Sequence, residues 1–175
     1  YNVAVGYNAA SSLTTATQST IIGGLAGDAL TTGSSNVALG YSALGSEDTG
    51  SRNTALGYNS LLSLNFDGNG YNTAVGYDSG RFISTGVQNT IMGGLAGDAL
   101  TTGSRNVAIG YLALSDEDET SNVVAVGWGA LASQNAGVDT FNVAVGYNAG
   151  TSVTSGYRNT FLGGAAGDAI DTGYQ

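Results

Sequence analysis

The sequence contains no cysteine, no histidine, no proline and no lysine. Without His or Cys, a Ser or Cys nucleophile has no imidazole base, and zinc and copper lose their usual ligands. The missing cysteines exclude disulfide staples but say nothing about the compartment. Positive charge is scarce: Arg52, Arg81, Arg105 and Arg158 stand against 13 acidic residues, for a net charge of −9. Such a surface repels phosphate backbones, so no nucleic-acid partner is expected. No apolar run approaches the ~20 residues that span a bilayer, so direct membrane insertion is not expected either.

What is abundant is glycine, with 29 residues, beside a hydrophobic fraction of 42%. Gly with Ser, Thr and Asn could describe a flexible linker, but here the apolar residues recur at fixed intervals, which implies order. The motif Asn-[Val/Thr]-Ala-[aliphatic]-Gly-Tyr repeats through the chain, centred on Gly6, Gly23, Gly40, Gly57, Gly76, Gly93, Gly110, Gly127, Gly146 and Gly163. The steps are 17, 17, 17 and 19 residues, then the same again, then 17, so the true period is 70 residues and four rungs. The chain divides into units of about 2–71 and 72–141 and a partial unit 142–175, and reads as one window of a longer array.

Each column of the repeat has a physical reading. The residue before the motif Gly is always large and aliphatic or Met, and the residue three before is always Val or Thr. These positions share one parity and favour a strand. Three after Gly the residue is always Ala or Ser, which implies close backbone approach. Where the residue two before Gly is Ile21, Ile91 or Phe161 instead of Ala, the residue after Gly is Gly24, Gly94 or Gly164 instead of an aromatic, which reads as exchange at constant volume. Rungs without Leu four after Gly carry Leu13, Leu30, Ile83, Leu100, Val153 or Ile170 seven after, so each rung keeps a second apolar anchor. A further Gly column (Gly33, Gly50, Gly86, Gly103, Gly137, Gly156, Gly173) reads as a turn with positive φ. The Asn column, with Asn36, Asn53, Asn72, Asn89, Asn106, Asn142 and Asn159, can form hydrogen-bonded ladders between rungs.

A 17-residue rung suits two short strands and two turns, and frequent Gly excludes a helical repeat. The expected fold is all-β: a parallel β-roll or β-solenoid of ten rungs, ~48 Å long at about 4.8 Å per rung. Its interior would be thin. The small-residue column and the Tyr column then suggest a second buried face, and a homotrimer sharing a common axis would bury more apolar surface.

Val-Ala-Ile-Gly-Tyr-Leu-Ala at 107–113 resembles the head repeat of YadA-like trimeric autotransporter adhesins, Asn-Ser-Val-Ala-Ile-Gly-x-x-Ser. Thr-Gly-Ser-Arg-Asn-Val-Ala-Ile-Gly-Tyr at 102–111 is similar to repeats of bacteriophage-type tail fibres. The resemblance covers the whole chain. The adhesin repeat is shorter, and its Asn sits one place earlier relative to Gly. The resemblance implies a homotrimeric, extracellular or virion-attached fibre that is itself its principal partner and supports attachment to a cell-surface glycan or protein receptor.

Residues that could carry chemistry are few. Gly-Gly-Leu-Ala-Gly-Asp-Ala-Leu-Thr at 23–31 and 93–101 is similar to a calcium-binding nonapeptide, making Asp28, Asp98 and Asp168 candidate calcium ligands. The third Gly is displaced by one place, and the alternative is a turn Asp bonded to nearby backbone. Asp116-Glu117-Asp118-Glu119 and its counterpart Glu47-Asp48 read as solvated loops. A glycosidase needs two carboxyls at a set separation in a cleft, and no irregular insertion builds one, so an enzyme is not expected and no cofactor is implied. Tyr7, Tyr41, Tyr58, Tyr77, Tyr111, Trp128 and Tyr147 form one column. It reads either as a structural ladder, buried in the roll or at a subunit interface, or as an exposed stripe stacking glycan. Arg52, Arg105 and Arg158 share a column and could pair with neighbouring acids. An ice-binding face would need Thr in every rung, and Asp48, Asn65 and Asp118 break that column.

Overall fold

The computed structural model describes residues 1–173. The final two residues of the partial third unit lie outside the described residues. The fold is an all-β solenoid in which each rung contributes one strand: β1 (Val3–Val5), β2 (Thr20–Ile22), β3 (Val37–Leu39), β4 (Thr54–Leu56), β5 (Thr73–Val75), β6 (Thr90–Met92), β7 (Val107–Ile109), β8 (Val124–Val126), β9 (Val143–Val145) and β10 (Thr160–Leu162). They form one parallel sheet in chain order, each in register with the next, as in Val37↔Thr54 and Leu39↔Leu56. The two-residue extension of every fourth rung leaves the register intact: Thr54 pairs with Thr73 across it.

Two strands per rung were expected, and the structure has one. After the motif Gly the chain turns repeatedly. The Gly6 carbonyl accepts from the Ala9 N–H, Asn8 from Ser11, and Ala10 from Leu13, each at 3.3 Å. The second and fourth residues after the motif Gly have positive φ, as at Asn8 (52°), Leu44 (56°) and Leu61 (50°). Positive φ at the third position of a turn is the type II signature. Leu in this region costs about 1–2 kcal/mol. Leu44, Leu61, Leu114 and Leu131 are all fully buried, and burial of a Leu side chain contributes about 1.5–3 kcal/mol in return. Beyond the turns, backbone bonds still join rung to rung, as from Thr14 N–H to Thr31 O (2.9 Å) and Thr31 N–H to Asp48 O (2.7 Å).

Two glycine columns are fixed by different causes. The motif glycines have φ near 140° (Gly40, 141°), and a Cβ on Gly40 would lie 2.2 Å from the Gly57 carbonyl oxygen. The second column was expected to have positive φ, but of its members Gly33, Gly50, Gly86, Gly103 and Gly156 do not, and Gly137 does (62°). Close approach is the reason Gly is needed there: a Cβ on Gly33 would stand 2.0 Å from Gly50 O. The left-handed residue lies two places later, at Ser35 (61°) or Arg105 (59°).

Parity decides the core. The central strand residue points inward and is buried in rungs 2 to 10, while its two neighbours point outward. The small-residue column is also interior: Ala43, Ser60, Ser79 and Ala113 are fully buried within the same roll, so this column is not a subunit face. The expected Ile-for-Tyr exchange is likewise corrected. Ile21 lies inside and Tyr41 outside, so they cannot trade volume. Inside the roll Ile21 sits over Gly27, whose added Cβ would meet it at 3.3 Å, whereas Ala38 shares its rung with Leu44; the rungs of Ala74 and Ala144 keep Gly80 and Gly150 and stand outside this exchange. Leu30, Ile83, Leu100 and Val153 are buried as second anchors, while Ile170 is exposed.

The Asn column is a side-chain-to-backbone ladder. Asn36 Oδ1 accepts from Asn53 N–H (2.9 Å) while its amide donates to Gly50 O (2.8 Å). Asn72, Asn89 and Asn106 repeat this two-sided contact. Asn142 and Asn159 likewise donate to Gly156 O and Gly173 O, at 2.7 Å each. The side chains thereby satisfy backbone groups that the three-residue strands leave over.

Candidate functional site

The surface offers one extended feature. Along the outward face of the sheet run three columns: Val or Thr, then Val, Leu, Ile or Met, then the aromatic column. No charged residue occupies any of these positions in the ten rungs. Val37, Leu39, Tyr41, Leu56, Tyr58, Met92, Tyr111 and Trp128 are all exposed on it. The aromatic column is therefore not buried in the roll. Tyr7, at 77% exposure, is its most open ring, and Trp128, at 45%, its most covered.

The rings are stacked along the solenoid axis. Tyr41, Tyr58 and Tyr77 follow one another at 5.5 and 5.4 Å between centroids, and Tyr111, Trp128 and Tyr147 at 6.2 and 5.2 Å. Each triad covers its own inner ring faces, so the column presents ring edges outward. Gly94 interrupts it, with the Tyr111 ring 3.5 Å from where a Cβ would stand; Gly24 plays the same part beneath Tyr41.

The acidic segments are not solvated loops throughout. Glu47 and Glu117 are fully buried and point into the roll. Glu47 accepts from the N–H groups of Gly50 (2.7 Å) and Phe66 (3.3 Å). Burial raises its carboxyl above the ordinary 4.5, and Asp48 adds to this, against the backbone donors Gly50, Phe66 and Thr49. Glu117 Oε1 accepts from the N–H groups of Asp118, Glu119 and Thr120, and its Oε2 from the Gln134 amide and Ala136 N–H. Gln134 in turn accepts from Asn142 (2.7 Å). Seen as a run of acids, these residues carry no sign of burial. The readable sign is the column: Glu47, Glu117 and Gln134 occupy the place of Leu30 and Leu100 in other rungs.

The calcium candidates are not brought together. Asp28, Asp98 and Asp168 stand four rungs apart, and among the described residues no three acids gather in a way that could hold a metal ion. Asp28 faces Gly45. Burial raises the carboxyl of Asp98, helped by Asp116 and Asp78 and opposed by its own backbone and by Arg81. Arg81 makes an ion pair with Asp78 at 3.3 Å. Among the described residues, the other three arginines make no ion pair with an acid, contrary to expectation. Arg52 donates to Asn69 and lies over Tyr71, Arg105 donates to Asn122 at 2.9 Å, and Arg158 lies over Tyr157. Asn122 passes the contact on to Asp139 (3.1 Å).

No cavity or cleft opens among the described residues. Nor is any helix among them long and apolar enough to cross a membrane. No family model, curated protein or solved structure matches the chain.

Proposed function

We propose that the chain is a rigid shaft segment of a homotrimeric fibre, extracellular or attached to a virion, that supports adhesion to a host or surface. The observation supporting this reading is the unbroken register of ten rungs, in which each rung is bonded to the next by strand and turn, with Asn side chains adding bonds at most of the steps. Such a stack resists bending and offers a protease little slack, which suits a spacer. Light scattering after size exclusion tests it. Three times the chain mass of 17.4 kDa is expected, and a single-chain mass overturns the trimer.

A second reading, a surface solenoid that binds glycan through the aromatic column, draws support from the exposure of Tyr7, Tyr77 and Tyr147. It predicts quenching or enhancement of Trp128 fluorescence on glycan addition, Trp128 being the single Trp. No change across a broad glycan panel would remove it.

A further inference from the structure

We infer that the uncharged outer face of the sheet is where copies of this chain meet, level with one another and without axial offset. This deepens the fibre reading and rests on it. Three observations carry it. The first is charge segregation. The chain carries −9, yet its outer sheet face holds no ionisable Asp, Glu or Arg over ten rungs. Like-charged copies can approach through this face without desolvating a like-charged pair.

The second is area. Ten rungs at about 4.8 Å and four residue rises at about 3.3 Å give a strip of roughly 600 Å² before side-chain relief is added. A standard specific interface takes ~800 Å² per partner, and a lone monomer rarely leaves so large an apolar patch open. The face is continuous, because Leu39, Leu56, Val75, Met92 and Ile109 pair in one outward column rung by rung.

The third is the ring pattern. Two stacked triads are separated by the single gap at Gly94. A closed rotational assembly permits no axial shift. Ring then meets ring and gap meets gap, whereas an offset of one, two or three rungs sets rings against gaps. Only an offset of a full 70-residue unit would reproduce the match.

Cysteine chemistry tests this directly, because the chain has no cysteine of its own. Met92→Cys places one thiol on the face, and Thr102→Cys places one on an exposed site half a rung away along the chain. Under mild oxidation the Met92→Cys band is expected to shift on a non-reducing gel from 17.4 kDa to twice that, leaving one chain per trimer unlinked, while Thr102→Cys stays at 17.4 kDa. Co-assembly of Ile22→Cys with Met92→Cys chains checks the level. A link between the two would reveal a one-unit stagger and overturn the absence of offset. A three-chain mass and unchanged thermal melting with no Met92→Cys link would overturn this interface and leave the fibre reading standing. A one-chain mass for the unmodified protein would overturn both.

Discussion

The third and fourth rungs of the first unit and their counterparts in the second keep the same strand register but have different interiors, and their loops differ too: Gly68 has φ 135° in the first, whereas Gly137 has φ 62° in the second. In the first, Glu47 lies beneath Leu64, both buried, with Gly50, Asn53 and Gly70 beside them. In the second, Glu117 lies beneath Gln134, with Thr120, Val123 and Thr140 in the corresponding places. These are not independent changes. A Cβ on Gly50 would stand 2.5 Å from the Glu47 carboxylate, so the first unit keeps Gly there. In the second, the Glu117 carboxylate sits on three successive N–H groups, and Thr120 donates its hydroxyl to Val138 O (2.9 Å). A Cβ on Gly70 would fall 2.2 Å from Asn53 Oδ1, whereas Thr140 coexists with Val123, which has no such oxygen. The comparison teaches that a buried carboxylate is accommodated by a set of neighbours, and that the set can be re-tiled without moving a strand.

The largest effect is expected where the two units do not differ. Gly57→Ala and Gly127→Ala each force a Cβ to within 2.2 Å of the next rung's Gly carbonyl oxygen at φ 140° and 134°. Left-handed strain and overlap together cost about 2–5 kcal/mol, measured by urea unfolding, and equal losses are expected in both units. Next, Gly70→Thr alone should cost about 1–3 kcal/mol through its clash with Asn53, and Asn53→Val should restore part of that loss. Additive losses in the double mutant would break the idea of a coupled set.

Gln134→Leu gives the second unit the first unit's residue. It removes the amide that donates to Glu117 and the carbonyl that accepts from Asn142, and should cost about 1–3 kcal/mol. Leu64→Gln in the first unit places the same amide beside the equivalent partners, Glu47 and Asn72, and should cost less than Gln134→Leu in the same urea titrations.

The smallest effect is one of pH. Folded Glu47 holds its proton above the ordinary value of 4.5. Between the two values the folded state binds more protons than the unfolded one, so stability falls as pH rises through that window and stays lower above it. The stability of the native chain relative to Glu47→Gln should therefore grow as pH is lowered from neutral towards 4.5, read from urea titrations at stepped pH. A pH-independent difference would show that Glu47 does not titrate there.

Much of this was legible in the columns of the repeat. A constant Gly, a constant small residue and an Asn at fixed spacing left a stacked parallel solenoid as the economical fold, and the Asn ladder followed from the same spacing. The sequence by itself determined the rung count, the 70-residue period and the absence of charge in three columns, because these are properties of residue order alone. Which side of the strand faces inward was not legible, since Val and Tyr are apolar enough for either. Tertiary structure decided it: the interior admits only Ala, Ile or Phe at the central strand position, and the rings, too large for a rung already filled by Leu44 or Leu61, go outside. It decided also that Glu47 and Glu117 are buried, because only the closed roll brings backbone N–H groups and Gln134 around them.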